Sequence, residues 1–224
     1  MLTRAELVAE VQRLAAGRRR LLVGLAGPPG AGKSTLAEWL VAELSQPGRP
    51  ADGTDGGSTG RLAALAAVYL PMDGFHLANA VLAALGRAGR KGAPDTFDAD
   101  GYLAVLRRVA TELDHPVYAP RFHREIEESY AAEIAVGPEA RVVVTEGNYL
   151  LVNEPPWQEV RELLDAVWYV TVPESVRLDR LVRRRLGLGQ PVAQARAWAT
   201  GSDQRNADLV STTRSRADGE VTGL

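Results

Sequence analysis

The sequence predicts a single α/β domain over residues 1–224, built on a parallel, doubly wound sheet with helices on both faces. Two observations predict this architecture. Short apolar runs alternate with amphipathic segments along the chain, and several runs are apolar at every position. Strands that are apolar at every position are typical of parallel sheets, because helices cover both faces of such a sheet. The 46% hydrophobic content is sufficient for a core.

The N-terminal part of the chain begins with a helix and a strand. Thr3 and Glu6 fit a capping box, and apolar residues then recur at helical spacing up to Gly17. Residues 21–26 are the first predicted strand, and residues 34–44 the second helix. Residues 46–60 are rich in glycine and polar residues, and we expect a flexible surface loop there.

Strands and helices keep alternating through the rest of the chain. Apolar runs predict strands at residues 66–70, 141–145 and 166–172, and a last short strand follows near the C-terminus. Helices are predicted at residues 77–85, 100–113, 157–164, 174–190 and 191–200. Residues 115–130 are rich in proline, aromatic and charged residues, and we expect irregular structure there.

Composition limits the partners and the metals. Lys and Arg total 26 against 28 Asp and Glu, and the net charge of −2 gives no reason to expect nucleic acid or an anionic membrane as partner. The absence of cysteine excludes disulfides, and three histidines leave oxygen as the ligand for any metal. No apolar run approaches the roughly 18 to 20 residues of a membrane span, and we expect a soluble, cytoplasmic protein.

A glycine-rich loop lies between the first strand and the second helix. Its sequence GPPGAGKS matches G-x-x-x-x-G-K-[ST], the pattern of a phosphate-binding P-loop, in the strand-to-helix context that this pattern requires. Loop amides and the positive helix N-terminus can surround phosphate oxygens. The sequence therefore predicts a P-loop NTPase fold that binds a nucleoside triphosphate. The predicted nucleotide-binding residues are Gly27, Pro28, Pro29, Gly30, Ala31, Gly32, Lys33, Ser34 and Thr35.

Within this loop, three side chains have separate predicted roles. Lys33 would reach the β and γ phosphates, and Ser34 would offer its hydroxyl to Mg²⁺. Thr35 would lie in the first helical turn near the α-phosphate.

Two carboxylates follow apolar strands of the predicted sheet. Asp73, in the stretch YLPMDGFH, is either part of an Asp-Gly turn or a base that accepts a proton from a substrate hydroxyl attacking the γ-phosphate. The P-loop upstream favours the base. Glu146 ends the run RVVVTEG and is predicted to bind Mg²⁺ with Ser34, a structural role at the strand end being the alternative.

An arginine-rich segment follows the strand at residues 166–172. Five arginines lie within nine residues: Arg177, Arg180, Arg183, Arg184 and Arg185. They form either a solvated face or part of a lid, residues 174–190, that closes over the triphosphate and excludes water. We predict the helical lid, with Arg180 and Arg184 as the pair that stabilises the transferred group.

Five motifs together resemble the P-loop small-molecule kinases that include uridine kinase, phosphoribulokinase and bacterial pantothenate kinase. These motifs are GPPGAGKS, MDGFH, RKGAPDTFD, PVY followed by His123, and VVVTEGNYLL. The resemblance runs from about residue 21 to residue 217. DGFHLANAVLAALGRAGRKGAPDTFD is most similar to pantothenate kinases, whereas EGNYLL with SDQRNADLV is more similar to a bacterial branch of nucleoside or fructose-transport kinases.

The resemblance implies an ATP- and Mg²⁺-dependent enzyme whose acceptor-side segment is residues 86–130. Asp73 matches the catalytic aspartate of these kinases. The acceptor-side candidates are His76, Lys91, Asp98, His123 and Arg124. His76 either binds the acceptor or makes a structural hydrogen bond at the strand end. Where the bacterial branch prefers F-D-R, this chain has Phe-His-Arg at residues 122–124, so His123 is either an acceptor contact or a replacement that changes the acceptor.

We therefore expect a kinase that transfers the γ-phosphate of ATP to a hydroxyl of a small polar metabolite resembling pantothenate, a nucleoside or a sugar. A nucleoside monophosphate kinase is one alternative, although its phosphate acceptor needs no base. A P-loop regulator without an acceptor is the other, and no N-K-x-D motif indicates a GTPase. ATP rather than GTP follows from the resemblance. A homo-oligomer is possible, since related kinases are often dimers or tetramers.

Overall fold

The computed structural model describes residues 1–46 and 64–223, so most of the loop predicted at residues 46–60 lies outside the described residues. The strands are β1 Leu21–Ala26, β2 Ala67–Pro71, β3 Val117–His123, β4 Glu128–Val136, β5 Val142–Gly147, β6 Ala166–Thr171 and β7 Gly219–Thr222. The α-helices are α1 Arg4–Ala15, α2 Lys33–Ser45, α3 Asn79–Ala84, α4 Ala99–Thr111, α5 Trp157–Leu163, α6 Glu174–Gly187, α7 Val192–Thr200 and α8 Ser202–Thr212.

Five strands form one parallel sheet in the order β2-β5-β1-β6-β7. In this register Ala26 of β1 lies beside Gly147, and Pro71 of β2 lies beside Glu146. The carboxyl ends of β1, β2 and β5 therefore meet at one edge of the sheet, where ligands bind in open α/β sheets. The predicted fold class is confirmed.

The sheet separates two apolar cores. All six residues of β1 are buried, and their side chains alternate between the faces: Leu22 packs with α4 and α5, while Leu21 and Val23 pack with α1 and α2. Because both faces are covered, apolar residues occupy every position of the strand.

The capping box predicted at the start of α1 is confirmed. The Thr3 hydroxyl accepts a hydrogen bond from the Glu6 amide at 3.2 Å, and the Glu6 carboxylate accepts one from the Thr3 amide at 2.7 Å. These reciprocal bonds fix the first residue of the helix.

The expectation of irregular structure at residues 115–130 was wrong, because most of this segment lies in an antiparallel hairpin of β3 and β4. Val117 and Ala119 are buried, whereas Tyr118 between them is exposed, which is the period of a strand with one covered face. Pro120 lies where the register shifts, between Ala119 and Arg121. Proline is tolerated at such irregularities, because the backbone there does not need an N–H group to donate a hydrogen bond to the neighbouring strand.

Within residues 1–46 and 64–223, no helix combines the length and the apolar character that crossing a bilayer requires.

Arg20, a buried cation just before β1, connects separate backbone segments. Its guanidinium donates to the carbonyl oxygens of Ala140 at 2.9 Å, Val109 at 2.8 Å and Gly137 at 2.6 Å. We expect Arg20→Met to lower the free energy of unfolding by roughly 3 kcal/mol, because these buried carbonyls lose their charged partner. Urea denaturation of the parent and the variant measures the difference.

Arg19→Met is the matched control for this prediction. The exposed Arg19 donates only to the Leu113 carbonyl, at 3.2 Å, among the described residues. We expect its loss to change the free energy of unfolding by no more than about 0.5 kcal/mol. Equal unfolding midpoints for the two variants would show that Arg20 does not stabilise the fold in this way.

Candidate active site

The P-loop joins β1 to α2 and packs tightly against α6. Gly32 caps α2 in a left-handed conformation, with φ +92°. A Cβ atom on Gly30, whose φ is +81°, would lie 2.8 Å from the carbonyl oxygen of Arg177. Glycine is therefore required both by the backbone conformation and by the available space. The first amides of α2 have no partners within the helix and can bind phosphate oxygens.

A cleft of about 700 Å³ opens beside this loop. The P-loop, the ends of β2 and β5, the turn after β3, and α6 through α8 contribute to its walls. The predicted site residues that line it are Pro29, Gly30, Gly32, Lys33, Ser34, Thr35, Asp73, His76, Lys91, Arg124, Glu146 and Arg184. The structure thus brings together residues that are up to 155 positions apart, between Pro29 and Arg184.

Six predicted residues do not line the cleft: Gly27, Pro28, Ala31, Asp98, His123 and Arg180. Asp98 is the N-cap of α4, where its carboxylate accepts a hydrogen bond from the Gly101 amide at 2.9 Å. His123 lies against two carboxylates, Glu133 at 2.6 Å and Glu125 at 3.1 Å, which raise the pKa of its imidazole. Asp98 and His123 were predicted as acceptor contacts, and neither of them lines the cleft.

Lys33 extends from the first position of α2 into the cleft. Its ammonium group donates to the Asn148 side-chain oxygen at 2.7 Å and to the Pro28 carbonyl at 3.1 Å. Burial lowers the pKa of Lys33 to about 8, although the nearby carboxylates of Glu146 and Asp73 oppose this effect. A lysine with so little contact with water is well placed to neutralise a phosphate charge.

Glu146 ends β5 directly opposite the P-loop. Its carboxylate accepts hydrogen bonds from the Ser34 hydroxyl at 3.1 Å and from the Tyr69 hydroxyl at 2.8 Å. Burial, together with the charge of Asp73, raises the pKa of Glu146, while Lys33 opposes the shift. Tyr69 was not predicted as a site residue, because a tyrosine within an apolar strand does not differ from a core residue in the sequence.

The donor set around Ser34 and Glu146 fits Mg²⁺. Both side chains offer oxygen, the ligand atom that Mg²⁺ prefers, and Mg²⁺ is usually bound by one or two carboxylates together with substrate phosphates. In the described part of the chain, no group of three or more His, Cys, Asp or Glu side chains is set to hold a metal alone. A bound Mg²⁺ would therefore share its ligands between this pair and the nucleotide.

Asp73 lies in a 3₁₀ turn, Met72–Phe75, at the end of β2. One of its carboxylate oxygens accepts a hydrogen bond from the Arg124 guanidinium at 2.9 Å. Burial alone would raise the pKa of Asp73, but His76, followed by the positive charges of Arg124 and Lys33, lowers it below its ordinary value. The carboxylate is therefore ionised at neutral pH and can accept a proton.

Gly74, the other half of the Asp-Gly pair, allows the hairpin to approach the sheet. A Cβ atom on Gly74 would lie 2.3 Å from the carbonyl oxygen of Pro120 in β3. We expect Gly74→Ala to displace the hairpin and Arg124 from Asp73, and to lower kcat for acceptor-dependent ADP release by about 10²-fold. Steady-state kinetics with saturating ATP measure this loss.

Gly89→Ala is the control, because a Cβ atom there meets no other atom within 4 Å and the backbone φ is not left-handed. We expect its kcat to remain near that of the parent protein. Parent-like activity of Gly74→Ala would mean that the hairpin position does not matter for turnover.

The predicted arginine pair of the lid is separated in the structure. Arg184 lines the cleft, whereas Arg180 donates to the carbonyl oxygens of Gly223 at 3.0 Å and Ala31 at 3.3 Å. Arg180 therefore connects α6 to the P-loop backbone and to the residue after β7, instead of facing the cleft. Desolvation in the cleft and the nearby Arg124 charge lower the pKa of Arg184.

Several lining residues were not predicted as site residues, chiefly Asn148, Phe122, Arg185, Trp198, Asp203 and Asn206. Asn148 follows Glu146 by two positions in the motif EGNYLL, which was the signal for it. Asp203 and Asn206 belong to SDQRNADLV, where they lie three positions apart and therefore on the same side of α8.

The parallel sheet, the P-loop between β1 and α2, and the carboxylates at the ends of β2 and β5 define a P-loop kinase fold. A solved structure of a candidate fructose transport system kinase from Silicibacter sp. TM1040 matches with a TM-score of 0.83 and 37% identity, over 98% of this chain and 99% of that one. YFH7 from Saccharomyces cerevisiae shares the fold, with a TM-score of 0.78, 18% identity, and coverage of 99% and 98%.

Sequence comparison agrees with the structural comparison. A protein of Schizosaccharomyces pombe, named as a candidate uridine kinase, is 34% identical over 188 residues, which cover 82% of this chain and 74% of that protein. YggC of Escherichia coli is 32% identical over 195 residues, covering 86% and 73%. No family model matches the chain. The chain belongs to the uridine kinase-like family of P-loop kinases.

Proposed function

We propose that the protein transfers the γ-phosphate of ATP to a hydroxyl group of a small polar metabolite. The observation that carries this proposal is the position of Asp73: an ionised carboxylate, not engaged by the P-loop, lies in the same cleft as Lys33. A kinase whose acceptor is an alcohol needs such a base, because the hydroxyl loses its proton on attack. We therefore propose that the partner is a small molecule, and neither nucleic acid nor a membrane.

The proposed step conserves atoms and charge. The acceptor oxygen forms a bond to the γ-phosphorus, the bond between this phosphorus and the bridging oxygen of ADP breaks, and the hydroxyl proton moves to Asp73. Lys33 and Arg184 stabilise the negative charge on the transferred group. Because Arg184 belongs to α6, this helix would act as the lid that excludes water from the cleft.

Ser34 and Glu146 are the residues that would hold Mg²⁺ together with ATP. When bound, Mg²⁺ would neutralise charge on the β and γ phosphate oxygens. The hydrogen bond from Tyr69 orients the Glu146 carboxylate before any ligand binds.

The acceptor half of the cleft lies beside Asp73. The ring of His76 lies between those of Phe97, with centroids 4.1 Å apart, and Phe122, at 4.7 Å. Lys91 lies over the Phe122 ring at 5.2 Å, and its ammonium group donates to the side chain of Asn79 at 2.7 Å. Aromatic rings beside polar and charged groups can hold a small polar molecule and orient it.

A panel of acceptors tests the proposal. ADP release from Mg²⁺-ATP is followed with neutral alcohols (uridine, cytidine, D-ribose, D-fructose), with pantothenate, and with UMP and CMP. We expect one alcohol to raise the rate at least about tenfold above the rate without acceptor. The strongest stimulation by a nucleoside monophosphate would contradict an alcohol acceptor. ATP binding without any stimulated turnover would favour a P-loop regulator.

A further inference from the structure

Asp203, at the second position of α8, is a partly buried carboxylate in the wall of the cleft. Among the residues that the structure describes, it makes no hydrogen bond and no ion pair within 4.0 Å. Burial raises the pKa of Asp203, and the more distant charges of Arg185 and Arg184 oppose the shift. A partly buried carboxylate in the wall of a cleft that has no donor among its protein neighbours can accept hydrogen bonds from a ligand, which would offset the cost of its burial.

The rest of α8 places Asp203 on the acceptor side of the cleft. Asn206, one helical turn further along, is buried and donates to the carbonyl oxygen of Gly92 at 3.1 Å. Gly92 directly follows Lys91, and the hydroxyl of Tyr149 donates to the same carbonyl. Burial raises the pKa of Tyr149, and the charges of Asp203 and Asp73 add to this shift, because both carboxylates lie near the phenol.

The cations of this half of the cleft already have protein partners. Lys91 donates to Asn79 and to the Glu127 carbonyl, and Arg124 donates to Asp73. Arg185 donates to Gln190 at 3.3 Å and lies 4.1 Å from the centre of the Trp198 ring. On the acceptor side, the charged group without a protein partner is therefore the Asp203 carboxylate. Arg184 is assigned to the transferred phosphoryl group.

We infer that Asp203 determines acceptor specificity, and that the acceptor is a neutral molecule with hydroxyls on adjacent carbon atoms, such as a sugar or a ribose. This inference rests on the proposed function and names its substrate class. A carboxylate has two oxygens with about four lone-pair sites, so it can accept from two neighbouring hydroxyls at once. An acceptor that carries a carboxylate, such as pantothenate, would meet like charge at both Asp203 and Asp73.

The kinetic test compares the parent with Asp203→Asn in the ADP-release assay. The neutral probes are uridine, D-ribose and D-fructose, and the acidic probes are pantothenate and D-gluconate. We expect a neutral probe to give the highest kcat/KM. In Asp203→Asn we expect the KM for that probe to rise at least about tenfold, with kcat changed less than threefold and the KM for ATP unchanged. Asp208→Asn is the matched control, since Asp208 lies on α8 outside the cleft.

Three outcomes would overturn the inference. An acidic probe could have the highest kcat/KM, or Asp203→Asn could leave the acceptor KM at the parent value. The third outcome is that Asp203→Asn raises the KM for ATP but not the KM for the acceptor, which would mean that Asp203 positions the lid arginines instead.

Failure of the proposed function is distinguishable from failure of this inference. If no probe stimulates ADP release, alcohol transfer is contradicted, and calorimetry with a non-hydrolysable ATP analogue then tests binding of the same probes. Binding of a neutral polyol that Asp203→Asn weakens at least tenfold supports the inference. Equal binding by parent and variant, or no polyol binding, overturns it.

Discussion

Replacing Asp73 with asparagine is expected to lower kcat for acceptor-dependent ADP release by about 10³-fold, with the KM for ATP changed less than threefold. Asparagine has nearly the same shape and still accepts a hydrogen bond from Arg124, but it cannot take up the proton of the attacking hydroxyl. The contact between Asp73 and Arg124 at 2.9 Å makes this test specific, because the variant retains an acceptor for the guanidinium. Steady-state kinetics over both substrates separate the two constants.

Asp98→Asn is the control for this variant. Asp98 caps α4 outside the cleft, and asparagine is an equally good N-cap, so we expect parent activity. If Asp73→Asn retains half or more of the parent kcat, Asp73 is not the base. The stretch YLPMDGFH would then be only a turn that lets the hairpin approach through Gly74.

Lys33→Met is expected to lower kcat/KM for ATP by roughly 10³-fold or more, because it removes the buried positive charge of the P-loop. Methionine keeps the length and apolar character of the side chain, while the hydrogen bonds to Asn148 and Pro28 are lost. Nucleotide binding by calorimetry, together with single-turnover kinetics, separates the loss in affinity from the loss in the chemical step. A circular dichroism spectrum confirms that the variant is folded.

Lys91→Met provides the comparison, since Lys33 and Lys91 are the two lysines of the sequence and both line the cleft. Lys91 lies on the acceptor side, over Phe122. We expect its loss to raise the KM for the acceptor and to leave ATP binding unchanged. Unchanged ATP binding and turnover in Lys33→Met would contradict the assignment of the P-loop as the phosphate site.

Most of the fold could be predicted from the sequence, because its signals are local. In β1 every residue is apolar and buried, and in β5 the first three residues are buried valines, which is how a strand covered on both faces must look. The P-loop and the capping box at Thr3 depend on residues within eight positions of one another. Local sequence therefore determined where these elements begin and end.

The hairpin of β3 and β4 could not be predicted in the same way. Its first strand contains Pro120 and is half exposed, so its alternating pattern is interrupted at the position where the register shifts. Only the packing of Gly74 against Pro120 shows why this segment is extended and why it lies at the site. That contact joins residues 46 positions apart and leaves no local signal.

Site residues that belong to sequence motifs could be predicted. Residues whose role depends on the direction of the side chain were harder to predict. His123 was a candidate, but neighbouring residues of a strand point to opposite faces, so Phe122 lines the cleft while His123 faces Glu133. Arg180 and Arg184 are one helical turn apart, yet Arg180 is engaged by the P-loop carbonyls. These differences depend on tertiary contacts that spacing alone does not contain.

The most direct test of the account is ³¹P NMR of the complete reaction. The parent protein is incubated with Mg²⁺-ATP and the neutral polyol that best stimulates ADP release. We predict a new phosphomonoester resonance that grows in step with ADP and is absent when Asp73→Asn replaces the parent. Release of inorganic phosphate alone, without a phosphorylated acceptor, would contradict transfer of the γ-phosphate to an alcohol.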